Sequence, residues 1–441
     1  MGTTKGVPMK HINNILLVLL LTQTARAEFK VHEWGTFTSV IGSNGKTQNG
    51  MYHEDEKLPD FIHGLGEVVT GSFTVNPPLP VVFPYPPDDF CDKNIHCRVL
   101  RSNVITQKME TPVLYFHNDS NLSLPVKVNV QFPLGVISQT FPGPTVSTPD
   151  SNATVLANGA VQFDLHVLPR LTLADYSSYI PQVPAGNIYS YARNVDSNYI
   201  QVANGNKPEY EKFIFYRGLG QFNPRFQMTS KDGNLSIEIP KSGTAIPVAY
   251  LMNVTAAGEV FGVPVHGLSA GNTARINSSR IAEIMSGHGK VFRIDALKAM
   301  LAHDLTVTGL FADEALAMIA TWENGYFKVP GLRMLYILPR NEVESILPMQ
   351  VSPQPSELNR AFVGRIEILL DVEESEIINM VTRQGYLFDP ESLGRFAEPK
   401  LRRALEVYQA RDDASVEMID LFNELISYVL PTVNSNSTII E

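Results

Sequence analysis

From about residue 99 to 265 the apolar positions recur every second residue. Val126, Val128, Val130 and Phe132 alternate with Lys127, Asn129 and Gln131. Val161, Phe163, Leu165 and Val167 alternate with Gln162, Asp164 and His166, and Leu235, Ile237 and Ile239 with Ser236 and Glu238. A period of two predicts strands with one buried and one wet face. The runs at 113–116, 213–216 and 248–251 are apolar on both faces and predict central strands. Many short strands with Gly, Pro and Asn turns between them predict an antiparallel sandwich.

The period changes after about 275. Phe311, Ala315, Met318, Ile319 and Trp322 share one helical face. Asp295 can cap a helix running to about His303, and Met418, Leu421, Phe422, Leu425 and Val429 define a closing helix. Strand-like runs at 334–338 and 362–370 lie between and can complete the sheet of the first part. The predicted fold is α+β: an antiparallel, β-sandwich-like N-terminal part and a mainly helical C-terminal part. The expected segments are 1–27, 28–98, 99–270 and 271–441.

Segment 1–27 has the three parts of a secretory signal peptide. Lys5 and Lys10 are basic, Ile12 to Leu21 form a short apolar run, and Ala25-Arg26-Ala27 offers small residues before a cut at Glu28. The run is short for a membrane span, which needs about 20 residues, although an uncleaved anchor is the alternative. No second run reaches spanning length, so a soluble mature body without a stable membrane span is expected. Within 28–98, residues 77–87 contain six prolines. They predict an extended connector rather than a helix or central strand.

Charge narrows the partners. The chain carries −10, and loss of Lys5, Lys10 and Arg26 with the leader makes it −13. Such a surface repels nucleic acid and anionic lipid. Cys91 and Cys97 are the two cysteines. In an oxidising compartment they are expected to pair. His96 between them leaves a Cys-His-Cys metal site as the alternative, without the usual zinc spacing.

Several segments together resemble a group of bacterial exported proteins of no assigned activity. They are HEWGTFTS at 32–39, KMETPVLYF at 108–116, EKFIFYRG at 211–218, TGLFADEA at 308–315, Thr321-Trp322 and RMLYILP at 333–339. Val329 and Pro330 depart from the acidic character expected before Gly331. The resemblance implies bacterial origin and one shared architecture; with the cleavable leader, a periplasmic or secreted location is expected. It implies no substrate and no catalytic residue. Seven Asn-x-Ser/Thr triplets are present, which would matter only in a eukaryotic secretory pathway.

The candidate chemistry is dispersed. His32 and Glu33 are strand neighbours pointing to opposite faces, and no His-Glu-x-x-His is present. His32 is expected either to meet a distant carboxylate such as Glu110 in a cleft or to be a buried, hydrogen-bonded histidine beside Trp34. Glu110 needs a partner if buried, and Arg217 is the natural one, or else holds an anionic ligand. Asp313 and Glu314 suit the first turn of a helix. Glu314 can also face a cleft, with His303 near it. Ser269 lies in Gly267-Leu-Ser269-Ala-Gly271, a nucleophile-elbow pattern in an antiparallel context that reads as a turn. Gly42–Thr47 lacks the first glycine of a phosphate loop and reads as a hairpin turn, and Gly218-Leu-Gly220 follows a strand without a third glycine or a βαβ context and reads as a turn.

Two functions fit. One is an exported structural or ligand-binding module of the envelope, taking a small molecule, glycan or peptide. The other is an extracytoplasmic hydrolase with His32, Glu33, Glu110, Arg217, Ser269 and Glu314 near the junction of the β and helical parts. The sequence names no cofactor, and any metal site would rest on tertiary proximity.

Overall fold

The computed structural model describes Gly2 and residues 28–51, 58–64, 67–68, 97–98, 105–148, 157–170, 176–204 and 207–429. The leader (Gly2 apart), the six-proline stretch and Cys91, with its expected disulfide, lie outside these residues.

Five strands form the centre of a ten-stranded sheet: β1 (Phe29–Ile41), β2 (Gln107–Asn118), β3 (Phe213–Gly220), β4 (Gly331–Ile337) and β5 (Glu357–Ile368). In space they run β4-β5-β1-β2-β3. Ala249–Val254, Val260–Pro264 and Phe292–Arg293 extend the β4 edge; Gly135–Phe141 and His63–Gly64 extend the β3 edge. β1 and β5 are parallel, and the other pairs of this sheet are antiparallel. The sheet therefore draws on residues from all three segments after the leader. Of the two strands expected to complete it, β5 stands beside β1 at its middle and β4 stands beside β5.

A six-stranded sheet, including Leu124–Phe132 and Gly159–Val167, covers one face. The alternating valines and phenylalanines of these strands pack against Phe29, Val31, Leu114, Phe116 and Ile214 of the central sheet. The other face carries Trp34, Val113, Tyr115, Phe215 and Val363. It packs against α1 (Ile294–Val307), α2 (Ala312–Thr321) and α3 (Glu323–Phe327). The result is three layers, sheet on sheet on helices, with a core on each side of the central sheet. In α1 the buried residues Leu297, Leu301 and Leu305 recur every fourth position, the stripe that a sheet-packed helix presents.

α4 (Asp371–Gln384), α5 (Ala397–Gln409) and α6 (Val416–Val429) share their own apolar cluster. Glu374 ties it to the loop after β1: it accepts from Ser43 N–H at 2.7 Å and Arg403 Nε at 2.8 Å. Among the described residues no helix is long and apolar enough to cross a membrane.

The Gly42–Thr47 hairpin is present, with Gly45 at φ +81° and Gly42 N–H bonded to Lys46 O at 3.0 Å. The Gly218–Gly220 expectation is corrected, because these residues are the end of β3 and not a turn. A Cβ on Gly218 would stand 2.5 Å from Val136 O, so glycine serves close strand approach there.

Candidate metal centre

The alternation of β1 decides where its polar residues go. Phe29, Val31 and Glu33 point to the six-stranded sheet, while Lys30, His32 and Trp34 point to the helices. In β2, Val113, Tyr115 and His117 share the helix-facing side. The antiparallel register pairs Lys30 with His117 and His32 with Tyr115. His32 and His117 are thus diagonal neighbours on one face, with ring centroids 5.1 Å apart. On the other flank His32 pairs with Asn359 of β5.

The first turn of α2 closes over them. Glu314 Oε2 is 2.8 Å from His32 Nδ1, and Oε1 is 2.8 Å from His117 Nε2. Oε2 also accepts the Phe311 N–H at 2.7 Å, one of the amides a helix start leaves unpaired. The Phe311 ring packs on both imidazoles, with centroids 4.5 and 4.8 Å away. His32 and Glu314 are 0% exposed and His117 5%. Burial by itself would raise the Glu314 carboxyl, but the bonds from His117, His32 and the Phe311 amide outweigh it and hold it below its ordinary value.

A carboxylate only accepts, so the two ring nitrogens facing Glu314 act as donors. The nitrogens on the far side of each ring are less well served. His117 Nδ1 is buried without a hydrogen-bond partner. His32 Nε2 lies 3.5 Å from Asn359 Nδ2, whose two hydrogens are directed to Gly309 O at 2.8 Å and Glu357 Oε1 at 2.6 Å. Two imidazoles and a carboxylate form a donor set for zinc and related transition metals. Their three ligand atoms lie within 4.8 Å of one another.

The other expected site residues do not join this cluster. Glu33, on the opposite face, is held by Arg360 Nε at 2.6 Å and by the Tyr216 hydroxyl. Glu110 is bonded to Arg395 rather than to His32, and Arg395, not Arg217, is its direct partner. Arg217 reaches Thr111 Oγ1 at 3.4 Å and stacks over Phe215. Both Glu110 and Arg217 lie within strands, not at their ends. Ser269 is exposed in a turn that leads into the strand Thr273–Ile276 instead of a helix, so the nucleophile elbow is absent. His303 is exposed, and the partners of Glu314 are His32 and His117.

His117 was missed because it simply ends an apolar strand. Its signal is phase: it continues the Val113, Tyr115 face, as His32 shares the Trp34 face. No protein-family model matches the chain, and no curated protein matches it.

Proposed function

We propose that this chain is an exported protein of the bacterial envelope that binds one divalent transition metal, such as zinc, through His32, His117 and Glu314. It acts as a binding or structural module. The observation that carries this reading is the convergence of two imidazoles from adjacent central strands with a helix carboxylate. The metal would fasten α2 to the sheet where protons fasten it otherwise.

Three protein donors also suit a catalytic centre, which keeps a fourth position for water. That count supports the hydrolase reading. Burial of all three donors beneath Phe311 supports the binding module, and we prefer it.

Calorimetric titration of chelator-treated protein with zinc should give one equivalent. His117→Ala and Glu314→Gln should remove that binding while circular dichroism stays native, and His303→Ala should retain it. Unchanged binding in folded His117→Ala would overturn the reading. Export rests on the leader alone. N-terminal sequencing of exported material should start at Glu28, and material still carrying the apolar run would contradict cleavage there.

A further inference from the structure

Farther along the helix-facing side of the same strands lies a second polar cluster. The β1–β2 register shifts between Trp34 and Thr36, and Thr111 takes φ +48°. This bulge reverses the phase of β2, so Glu110 and Lys108 stand beside Thr36 and Thr38 on the helix side. Across the parallel pair Thr38 faces Arg365, and β4 then sets Arg333 opposite Glu367. Arg395, from the 3-10 turn Pro390–Phe396, reaches Glu110. Thr38, Lys108, Glu110, Arg217, Arg333, Arg365 and Glu367 are all buried.

Among the described residues, five cations here surround two carboxylates. Lys108, Arg217, Arg333 and Arg395 have interactions of their own. Arg365 is different. Its Nε donates to Glu367 Oε1 at 2.8 Å, and its guanidinium is clamped over the rings of Tyr326 and Phe396 at 5.8 and 5.2 Å. Yet Nη1 and Nη2 are both buried without a hydrogen-bond partner, and so is Oγ1 of the facing Thr38. Buried polar atoms left unpaired cost about 1–3 kcal/mol each, more when charged. Two parallel N–H donors of a guanidinium are the fork that matches two oxygens of one anion.

We propose that Arg365 Nη1 and Nη2, with Thr38 Oγ1, bind a small oxyanion: a phosphate, sulfate or simple carboxylate. Lys108, the other cross-strand neighbour of Thr38, adds positive field. The site is separate from the His32 cluster, since Thr38 lies six residues along β1, roughly 20 Å away.

The test is titration of the dialysed full chain with phosphate, sulfate and acetate in separate arms, at constant ionic strength set with chloride, read by calorimetry. At least one anion should saturate at one equivalent. Arg365→Lys, which destroys the fork, should weaken binding more than tenfold. Thr38→Val, which keeps shape and removes the hydroxyl, should weaken it about fivefold and keeps the test decisive if the arginine variant does not fold. His117→Ala should bind the anion as the parent does. No binding in any arm, or parent-like affinity in folded Thr38→Val and Arg365→Lys, would overturn the proposal.

Discussion

Arg360→Met should cost about 3–5 kcal/mol of folding stability. Glu33 and Arg360 meet between the two sheets at 2.6 Å, with side-chain exposures of 0% and 1%. Arg360 Nη1 also donates to Leu347 O at 2.6 Å, and Tyr216 donates its hydroxyl to Glu33. Burial and the Glu33 charge push the Tyr216 phenol well up, so it remains a donor. Methionine fills the arginine volume but leaves the Glu33 carboxylate charged and buried without its cation. In urea unfolding, Glu33→Gln with Arg360→Met together should cost less than the sum of the single changes. Small additive losses, under about 1 kcal/mol each, would mean that the pair does not form.

A second large effect is expected in acid. Burial alone would raise the Glu110 carboxyl. The charges of Arg395, Lys108, Arg365 and Arg217 outweigh it and bring it from 4.5 to about 2. Those groups face it from the 3-10 turn, its own strand, β5 and β3, and Tyr326 of α3 is bonded to the neighbouring Thr36. A carboxyl depressed in the folded state stabilises fully above its unfolded value. That contribution disappears as pH falls from about 4.5 towards 2, and the shift corresponds to about 3 kcal/mol. The stability gap between the parent and Glu110→Gln should therefore be about 3 kcal/mol wider at pH 6 than at pH 2. A gap independent of pH would remove Glu110 from the cationic cluster.

Local pattern carried far in this chain, and long-range register did not. The alternation at 126–132 and 161–167 and the stripe from Phe311 to Trp322 become the strands and the helix they predict. Both faces of 113–116 and 213–216 are buried, as two-sided apolarity implies. Glu314 turned inward, as its place beside the buried stripe allowed. What stayed hidden depends on partners hundreds of residues apart. His32 meets Glu314 only because α2 crosses β1. His117 joins because the antiparallel register sets it diagonally from His32. Glu110 finds Arg395 because a bulge at Thr111 reverses the phase of β2, and no periodicity within 108–116 announces that reversal. Gly218–Gly220 misled for a related reason: glycine there serves a close strand contact and resembles turn chemistry in one dimension.

The central claim is the metal at the meeting of β1, β2 and α2. Its most direct test is anomalous diffraction at the zinc edge from crystals of the metal-loaded protein. The account predicts a single strong peak about 2.0–2.1 Å from both His32 Nδ1 and His117 Nε2, in contact with Glu314. Crystals grown with zinc that show no peak there, with both rings still hydrogen-bonded to Glu314, would contradict it.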